Sequence, residues 1–279
     1  MRLIYDLFKL TRFWNLVIIA IAQYFVAAFL INLKGSVFFD WRLFVLSLST
    51  VSIAAAGYII NDYYDIKIDL INKPERVVIG KSIARRYAIL FHTIISSFGI
   101  LLGLLLSWKI GAINFACVFL LWLYSNNLKR QPFVGNLVVA ALTGLSIDLI
   151  NLLYNRHNTL VIIFAFFAFL MTLVREIVKD MEDMKGDTTF GCRTLPIVLG
   201  IRKTKWVVYF IILIFSIVVF TLNVQNSLLP VVYFNGFLLL PMTILMVRLA
   251  KADTTKEFYQ LSQLCKLIML LGIISMLFI

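Results

Sequence analysis

Nine long apolar runs, separated by polar segments, occupy most of the chain. An α-helix needs about 20 consecutive apolar residues to cross the roughly 30 Å hydrocarbon layer of a bilayer, and each run comes close to that length. The pattern therefore predicts an all-α membrane bundle of about nine transmembrane helices, folded as a single domain over residues 1–279. The predicted spans are residues 13–33, 41–61, 87–107, 110–126, 134–153, 159–178, 206–223, 228–248 and 262–279.

Composition and charge placement support a multi-pass membrane protein. Hydrophobic residues make up 62% of the 279 positions and charged residues only 14%, against about 25% in ordinary soluble domains. The net charge is +12, but we expect no nucleic-acid partner, because 22 of the 26 Lys and Arg residues lie in segments on the side of the N-terminus. The positive-inside rule then predicts a protein of the cell membrane whose N-terminus and loops of that side are cytoplasmic.

Three other features concern processing and partners. The cysteines, Cys117, Cys192 and Cys265, are far apart and form no C-x-x-C pair, which argues against a zinc site or a disulfide framework. The first span follows basic residues, as in a signal peptide, but its apolar part is longer than a signal core, so we expect it to be retained. The sequence shows no soluble domain or long linker, and no obligate protein partner is evident from it.

Two acidic triplets with identical spacing stand out against the apolar background. Within each triplet the offsets of three and seven residues return to one side of a helix, and corresponding members are 118 positions apart, which suggests a weak internal duplication. A charge at mid-bilayer costs about 2.5–3.5 kcal/mol, so these carboxylates must face water, a cation or both. We expect the triplets to begin two long polar connections, at residues 62–86 and 180–205. Their members are Asp62, Asp65 and Asp69, and Asp180, Asp183 and Asp187.

Carboxylates with basic neighbours are the groups that a Mg²⁺–diphosphate site needs. Mg²⁺ binds one or two carboxylates together with water and phosphate oxygens, and Arg or Lys neutralises the remaining phosphate charge. Such a site at the mouth of an apolar bundle indicates an isoprenoid diphosphate, whose allylic C–O bond ionises while the cavity excludes water. We therefore predict Mg²⁺ as cofactor. The predicted catalytic ligands are Asp62, Asp65, Asp180 and Asp183, with Asp69 and Asp187 assisting.

Basic residues near the triplets are candidates for binding phosphate groups. Arg76 and Lys129 are predicted to contact the diphosphate, although anchoring at the membrane surface is the commoner role of loop Lys and Arg. A second basic set lies around the second triplet and is suited to an acceptor phosphate beside the diphosphate. This set consists of Lys179, Lys185 and Arg193.

Four further motifs accompany the second triplet: Arg12-x-x-Asn15, Asn61-Asp62-x-x-Asp65-x-x-x-Asp69, Asn72-Lys73-Pro74-x-Arg76 and Tyr124-Ser125-x-x-Leu128-Lys129-Arg130. Together they resemble the motifs of UbiA-type intramembrane prenyltransferases, and the similarity covers essentially the whole chain. The resemblance implies about nine helices around a central cavity, with both acidic motifs holding Mg²⁺ and a prenyl diphosphate donor. The substrate-binding residues predicted in this way are Asn15, Asn61, Arg76, Tyr124, Lys129, Lys179 and Arg193.

The segment around the second triplet is similar to one branch of that superfamily. It reads Arg175-Glu176-x-x-Lys179-Asp180-x-Glu182-Asp183-x-x-Gly186-Asp187, followed by Thr194-Leu195-Pro196. This string resembles the geranylgeranylglycerol-phosphate geranylgeranyltransferases, which implies geranylgeranyl transfer to geranylgeranylglyceryl phosphate in ether-lipid synthesis. The chain departs from the usual Arg-Pro after the first motif, since Val77 follows Arg76.

Several alternatives remain open at the level of sequence. The acceptor can instead be an aromatic compound of a quinone pathway, such as hydroxybenzoate or naphthoate. A cation-coupled transporter would also carry acidic residues in a bundle, but usually at the membrane midplane. In a purely structural interpretation, the triplets are interfacial groups paired with Lys and Arg. Among the other charges, we expect Glu182 to be solvated and Asp148 to snorkel or pair helices, and Glu176 fits a site role and an ion pair equally well.

Overall fold

The computed structural model describes residues 2–226, 236 and 239–279, and the regular elements over these residues are helices. A short π-helical segment, Val26–Leu30, extends the second α-helix, and 3₁₀ helices lie at Lys34–Phe39 and Leu128–Arg130. The α-helices are α1 (Arg2–Leu10), α2 (Phe13–Phe25), α3 (Trp41–Asn72), α4 (Arg85–Leu106), α5 (Trp108–Asn126), α6 (Val134–Leu153), α7 (Thr159–Thr189), α8 (Leu195–Leu199), α9 (Ile201–Asn226), α10 (Leu240–Lys251) and α11 (Thr255–Ser275).

The predicted all-α membrane bundle is confirmed. Within the described residues, eight helices are long and apolar enough to cross a membrane, counting α2 together with its π-helical extension. The expected span at residues 228–248 lies partly outside the described residues, which include its second half in α10. Helix α1 precedes the first span and joins it at Arg12, whose backbone is left-handed with φ 52°. The chain is therefore an integral membrane protein.

Helices α3 and α7 are much longer than their predicted spans. They contain 32 and 31 residues, or roughly 48 and 46 Å at 1.5 Å per residue, and both exceed the hydrocarbon thickness. The prediction that the acidic triplets begin polar connections at 62–86 and 180–205 is therefore wrong, because both triplets lie on the helices themselves. The helical period persists there, since Ile68 and Met181 remain buried on the opposite faces. We call this part of the bundle, residues 62–72 of α3 and 180–189 of α7, the acidic end.

Small residues and a buried amide join α3, α4 and α5. The Asn114 side chain donates to Ser49 Oγ at 2.7 Å and to the Gly99 carbonyl at 3.3 Å, and Ser49 Oγ also donates to that carbonyl at 2.6 Å. Gly103 allows the close approach, because a Cβ there would overlap the Asn114 amide. Lipid tails are as apolar as the helix surfaces, so the hydrophobic effect does not drive helices together inside a bilayer. Close packing and interhelical hydrogen bonds stabilise such contacts instead. This cluster fixes one wall of the bundle.

Replacing Gly103 with Ala is expected to destabilise the protein by about 1–3 kcal/mol, because the added methyl group displaces the Asn114 amide. The matched control is Gly272→Ala, where a Cβ meets nothing within 4 Å and only the helix propensity changes, by roughly 0.5–1 kcal/mol in the stabilising direction. Thermal unfolding of both variants in detergent measures the difference. Equal melting temperatures for the two variants would contradict the proposed packing.

Candidate active site

An amide bridge holds the acidic ends of α3 and α7 together. Asn72, the last residue of α3, donates from Nδ2 to the Asp183 carbonyl at 2.9 Å and accepts from the Gly186 backbone N–H at 2.8 Å. A Cβ on Gly186 would lie 2.6 Å from Asn72 Nδ2, so the contact requires a residue without a side chain. The bridge brings the two triplets, which are far apart in sequence, to the same end of the bundle.

The first triplet faces basic groups from other segments. Asp62 pairs with Arg12 at 2.9 Å, and Asp65 pairs with Lys129 at 2.5 Å. Asn61 donates from Nδ2 to Asp65 at 2.9 Å and accepts from Lys129 at 3.3 Å, which orients both side chains. Burial lowers the pKa of Lys129, and the negative charge of Asp65 opposes that shift. A cation that is largely removed from water thus lies beside the carboxylate that is predicted to bind metal.

The second triplet has a corresponding set of partners. Asp180 accepts from Asn136 Nδ2 at 2.8 Å. The ammonium group of Lys73 lies 2.7 Å from Asp183 and 2.8 Å from Glu182. The expectation that Glu182 is solvated is therefore wrong: the residue is 6% exposed, because Lys73 and helix α11 cover that face of α7. Ser262 of α11 donates to it at 3.5 Å.

Asp69 and Asp187 differ from the other carboxylates of the triplets. Neither side chain accepts a hydrogen bond or forms an ion pair within the described part of the chain, although Asp187 lies close enough to Asp65 and Asp183 for their charges to act on it. Over the same residues, no group of three or more His, Cys, Asp and Glu side chains is placed to hold a metal ion alone. The donor set nevertheless suits Mg²⁺, which takes one or two carboxylates and completes its shell with water and phosphate oxygens.

A cavity of about 250 Å³ begins beside the acidic end, where Asn61 and Lys179 line it, and continues between α2, α3, α5, α6, α7 and α11; none of the six triplet carboxylates is among its lining residues. Four of the predicted substrate-binding residues line it, and Asn15 donates to the Tyr58 hydroxyl at 3.4 Å. Farther from the acidic end, a second cavity of about 140 Å³ shares Ile18 and Met269 with the first and has an almost entirely apolar lining. The four predicted substrate-binding residues in the first lining are Asn15, Asn61, Tyr124 and Lys179. The lining of the continuous space therefore changes from charged to apolar with distance from the acidic end.

Besides Lys129, which pairs with Asp65, two predicted substrate-binding residues do not line this cavity. Arg76 is exposed in the loop after α3, and its nearest carboxylate is that of Glu75 at 4.0 Å. Arg193 is also exposed, and its backbone N–H donates to the Arg130 carbonyl at 2.8 Å. Lys185, from the second basic set, is exposed as well. The structure brings Asn15, Asn61, Tyr124, Lys129 and Lys179 to the cavity or the carboxylates beside it. It leaves Arg76, Arg193 and Lys185 exposed at the surface.

The structure adds residues that the sequence analysis did not assign to the site. Asn136 and Lys266 lie within apolar spans, where a polar side chain is a signal of a functional site. Arg175 and Glu176 pair with each other and both line the cavity, so the ion pair that the sequence left open for Glu176 is present, and its site role stays a prediction. Asp148 accepts from Asn151 at 2.9 Å on its own helix and lines neither cavity.

Comparison with known proteins gives one family. Residues 16–269 match the UbiA prenyltransferase family. A digeranylgeranylglyceryl phosphate synthase of Methanosphaera stadtmanae is 38% identical over 179 residues, which are 64% of this chain and 65% of the relative. Another, of Korarchaeum cryptofilum, is 32% identical over 242 residues, which are 86% of each chain. The chain thus spans slightly less than two thirds of the length of the Methanosphaera relative.

Solved structures share the same arrangement of helices. A structure concerned with digeranylgeranylglyceryl phosphate synthase in membranes superimposes with a TM-score of 0.71 at 24% identity, over 99% of this chain and 98% of the other. A UbiA homolog from Archaeoglobus fulgidus bound to GPP and Mg²⁺ gives a TM-score of 0.61 at 12% identity, over 97% of this chain and 99% of the other. At these identities the likeness concerns the fold.

Substituting Gly186 with Ala is expected to reduce the activity of the site at least about tenfold, because the methyl group displaces Asn72 and separates the two triplets. The matched control is Gly35→Ala, an exposed helical glycine where a Cβ meets nothing within 4 Å. Turnover and thermal unfolding are measured on both purified variants. Full turnover in Gly186→Ala would show that the amide bridge does not align the triplets.

Proposed function

Because this chain belongs to the UbiA prenyltransferase family, we propose that it transfers a prenyl group from a prenyl diphosphate to a lipid acceptor, with Mg²⁺ as cofactor. The observation that carries the proposal is a cavity whose lining includes Asn61 and Lys179, the sequence neighbours of Asp62 and Asp180, and which becomes apolar with depth. An ionic head fits the first region and a hydrocarbon tail the second. The A. fulgidus homolog bound to GPP and Mg²⁺ has the same fold and supports both ligands.

The carboxylates of the two triplets hold Mg²⁺ together with the donor diphosphate. Asp62, Asp65, Asp180 and Asp183 form the core of this set, with Asp69 and Asp187 assisting. When bound, the metal neutralises charge on the departing diphosphate. Basic groups that already lie at 2.5–2.9 Å from three of these carboxylates are also suited to phosphate oxygens. These groups are Arg12, Lys73 and Lys129, and Arg76 at the surface remains a predicted contact.

Transfer requires one bond to break and one to form. The allylic C–O bond of the donor breaks, and its electron pair leaves with the diphosphate. An oxygen of the acceptor hydroxyl then bonds to the allylic carbon and releases its proton. Tyr58 and Tyr124 line the cavity and can stabilise the positive charge on the allylic carbon through their π-faces. Glu176 or Asp183 can take the proton, and the apolar walls exclude water, which would otherwise compete as the nucleophile.

The acceptor that we propose is geranylgeranylglyceryl phosphate, and the donor is geranylgeranyl diphosphate. Support comes from relatives in Methanosphaera and Korarchaeum, both of which are digeranylgeranylglyceryl phosphate synthases. The product then belongs to ether-lipid synthesis. The distribution of Lys and Arg supports an acidic end on the cytoplasmic side of the cell membrane, where both substrates and Mg²⁺ have access. An aromatic acceptor or cation transport has no comparable support.

Replacing Asp62 or Asp180 with Asn is expected to reduce prenyl transfer at least about a hundredfold, because each substitution removes a charge that holds the metal and diphosphate. Asp253→Asn is the matched control, since Asp253 is an exposed partner of Lys205 at the end of α10. The measurement is product formation by purified protein with Mg²⁺ and geranylgeranyl diphosphate. Near-normal turnover in a folded Asp62→Asn or Asp180→Asn protein would refute the metal assignment.

The acceptor assignment predicts that purified protein forms digeranylgeranylglyceryl phosphate from geranylgeranyl diphosphate and geranylgeranylglyceryl phosphate. Parallel reactions offer 4-hydroxybenzoate or a naphthoate with the same donor, and products are separated by chromatography and identified by mass. We expect no aromatic product, because the hydroxyl of the glycerol lipid is the proposed nucleophile. Prenylation of the aromatic acids alone would overturn the acceptor while preserving prenyl transfer.

A further inference from the structure

The side chains that line the first cavity carry more positive than negative charge. Its charged lining consists of four cations and one carboxylate. Arg12 pairs with Asp62 and Arg175 pairs with Glu176, but Lys179 and Lys266 form no ion pair among the residues that the structure describes. This excess of positive charge in the lining favours an anionic ligand, because uncompensated charges away from water are costly.

Lys266 is the least expected of these cations. It lies on α11, 11 residues after the helix begins at Thr255, or about 16 Å along the axis, within a helix that is long and apolar enough to cross a membrane. The other cations of the same cavity lining are Arg12, Arg175 and Lys179. Lys266 forms no ion pair with a carboxylate among the described residues.

Arg175 shows a second sign of a missing anion. Its terminal nitrogen pairs with Glu176, but its Nε is buried and has no hydrogen-bond acceptor among the described residues. A buried donor without an acceptor costs about 1–3 kcal/mol, and a guanidinium offers two parallel donors to a phosphate. Lys179 lies four residues from Arg175 on α7, one turn nearer the acidic end. Arg175, Lys179 and Lys266 therefore line one patch of the cavity wall.

We propose that Lys266, Arg175 and Lys179 bind the phosphate monoester of the acceptor lipid. The proposal rests on the proposed function and names the subsite of that function's second substrate. It replaces Lys185 and Arg193, which were expected from sequence to bind this phosphate but lie exposed at the surface. The phosphate is recognised without a metal, since the only carboxylate in this part of the lining, Glu176, is already paired.

The spacing along α7 separates the two anionic groups. Arg175 precedes Asp180 by five residues and Asp183 by eight, or roughly 7 and 12 Å along the helix. The donor diphosphate belongs with the carboxylates of the triplets, which would hold a metal ion that offsets the negative charge of both. The acceptor phosphate belongs with the unpaired cations, which attract it directly. The acceptor hydroxyl, only a few bonds from its phosphate, then lies between the two sites and beside the allylic carbon.

The test compares Lys266→Met and Lys266→Arg with a control, Lys256→Met, which removes an exposed lysine from the first turn of the same helix. Binding of geranylgeranylglyceryl phosphate and of its dephosphorylated alcohol is measured by calorimetry in detergent with EDTA. We expect wild-type protein and Lys256→Met to prefer the phosphorylated lipid. Lys266→Met should lose about tenfold to a hundredfold of that preference, and Lys266→Arg should retain most of it.

Steady-state kinetics supply the second readout. In Lys266→Met, KM for the acceptor should rise about tenfold to a hundredfold, while KM for geranylgeranyl diphosphate stays within about twofold. An unchanged preference for the phosphorylated lipid, or a selective rise in KM for the donor, would overturn the subsite even if wild-type protein makes the expected product. Conversely, Lys266-dependent binding without turnover of the glycerol lipid would retain the subsite and reject the proposed function. Unfolding curves identify any variant that does not fold, and Lys179→Met then replaces it in the same assays.

Discussion

The contact between the ends of α3 and α7 is the interaction on which the whole site depends. A single amide, that of Asn72, hydrogen-bonds to the backbone of α7 at two positions within the second triplet, and it can do so because residue 186 is glycine. The next residue, Lys73, then reaches two carboxylates of α7. Two motifs that are separated by more than a hundred residues thereby form one constellation. Without this contact each triplet would be only a charged helix end.

Charge compensation near the membrane determines most of the remaining architecture. Ion pairs that are largely removed from water are tolerated only when geometry and further hydrogen bonds offset the loss of hydration. The pairs of Asp62 with Arg12 and of Asp65 with Lys129 meet this requirement, and each joins segments that are distant in sequence. The structural interpretation of the triplets as groups paired with Lys and Arg therefore holds for Asp62, Asp65 and Asp183, and not for the other three carboxylates among the described residues. The same cations that stabilise the ligand-binding helices are chemically suited to phosphate.

Sequence alone could predict the membrane bundle, most of its spans and the placement of each acidic triplet on one side of a helix, because apolar length and helical spacing are local properties. It could not place the ends of α3 and α7, since mean hydropathy falls where a helix leaves the apolar layer, not where its hydrogen bonds stop. Glu182 was misjudged because its burial depends on α11, which comes much later in the chain. Arg76 and Arg193 were chosen for their proximity to the motifs in sequence; both are exposed in space, and their contacts with substrate stay predictions.

The position of Lys266 has a consequence for how the protein is made. A lysine inside a span opposes insertion into lipid, by about 2.5–3.5 kcal/mol where it lies at the centre of the helix, which weakens α11 as an independent membrane segment. Synthesis proceeds from the N-terminus, so α2, α3, α5, α6 and α7, which line the polar cavity together with α11, precede it at the translocon. The last helix therefore enters a membrane in which a hydrated, polar surface for its lysine already exists. Biogenesis and substrate recognition then depend on the same side chain.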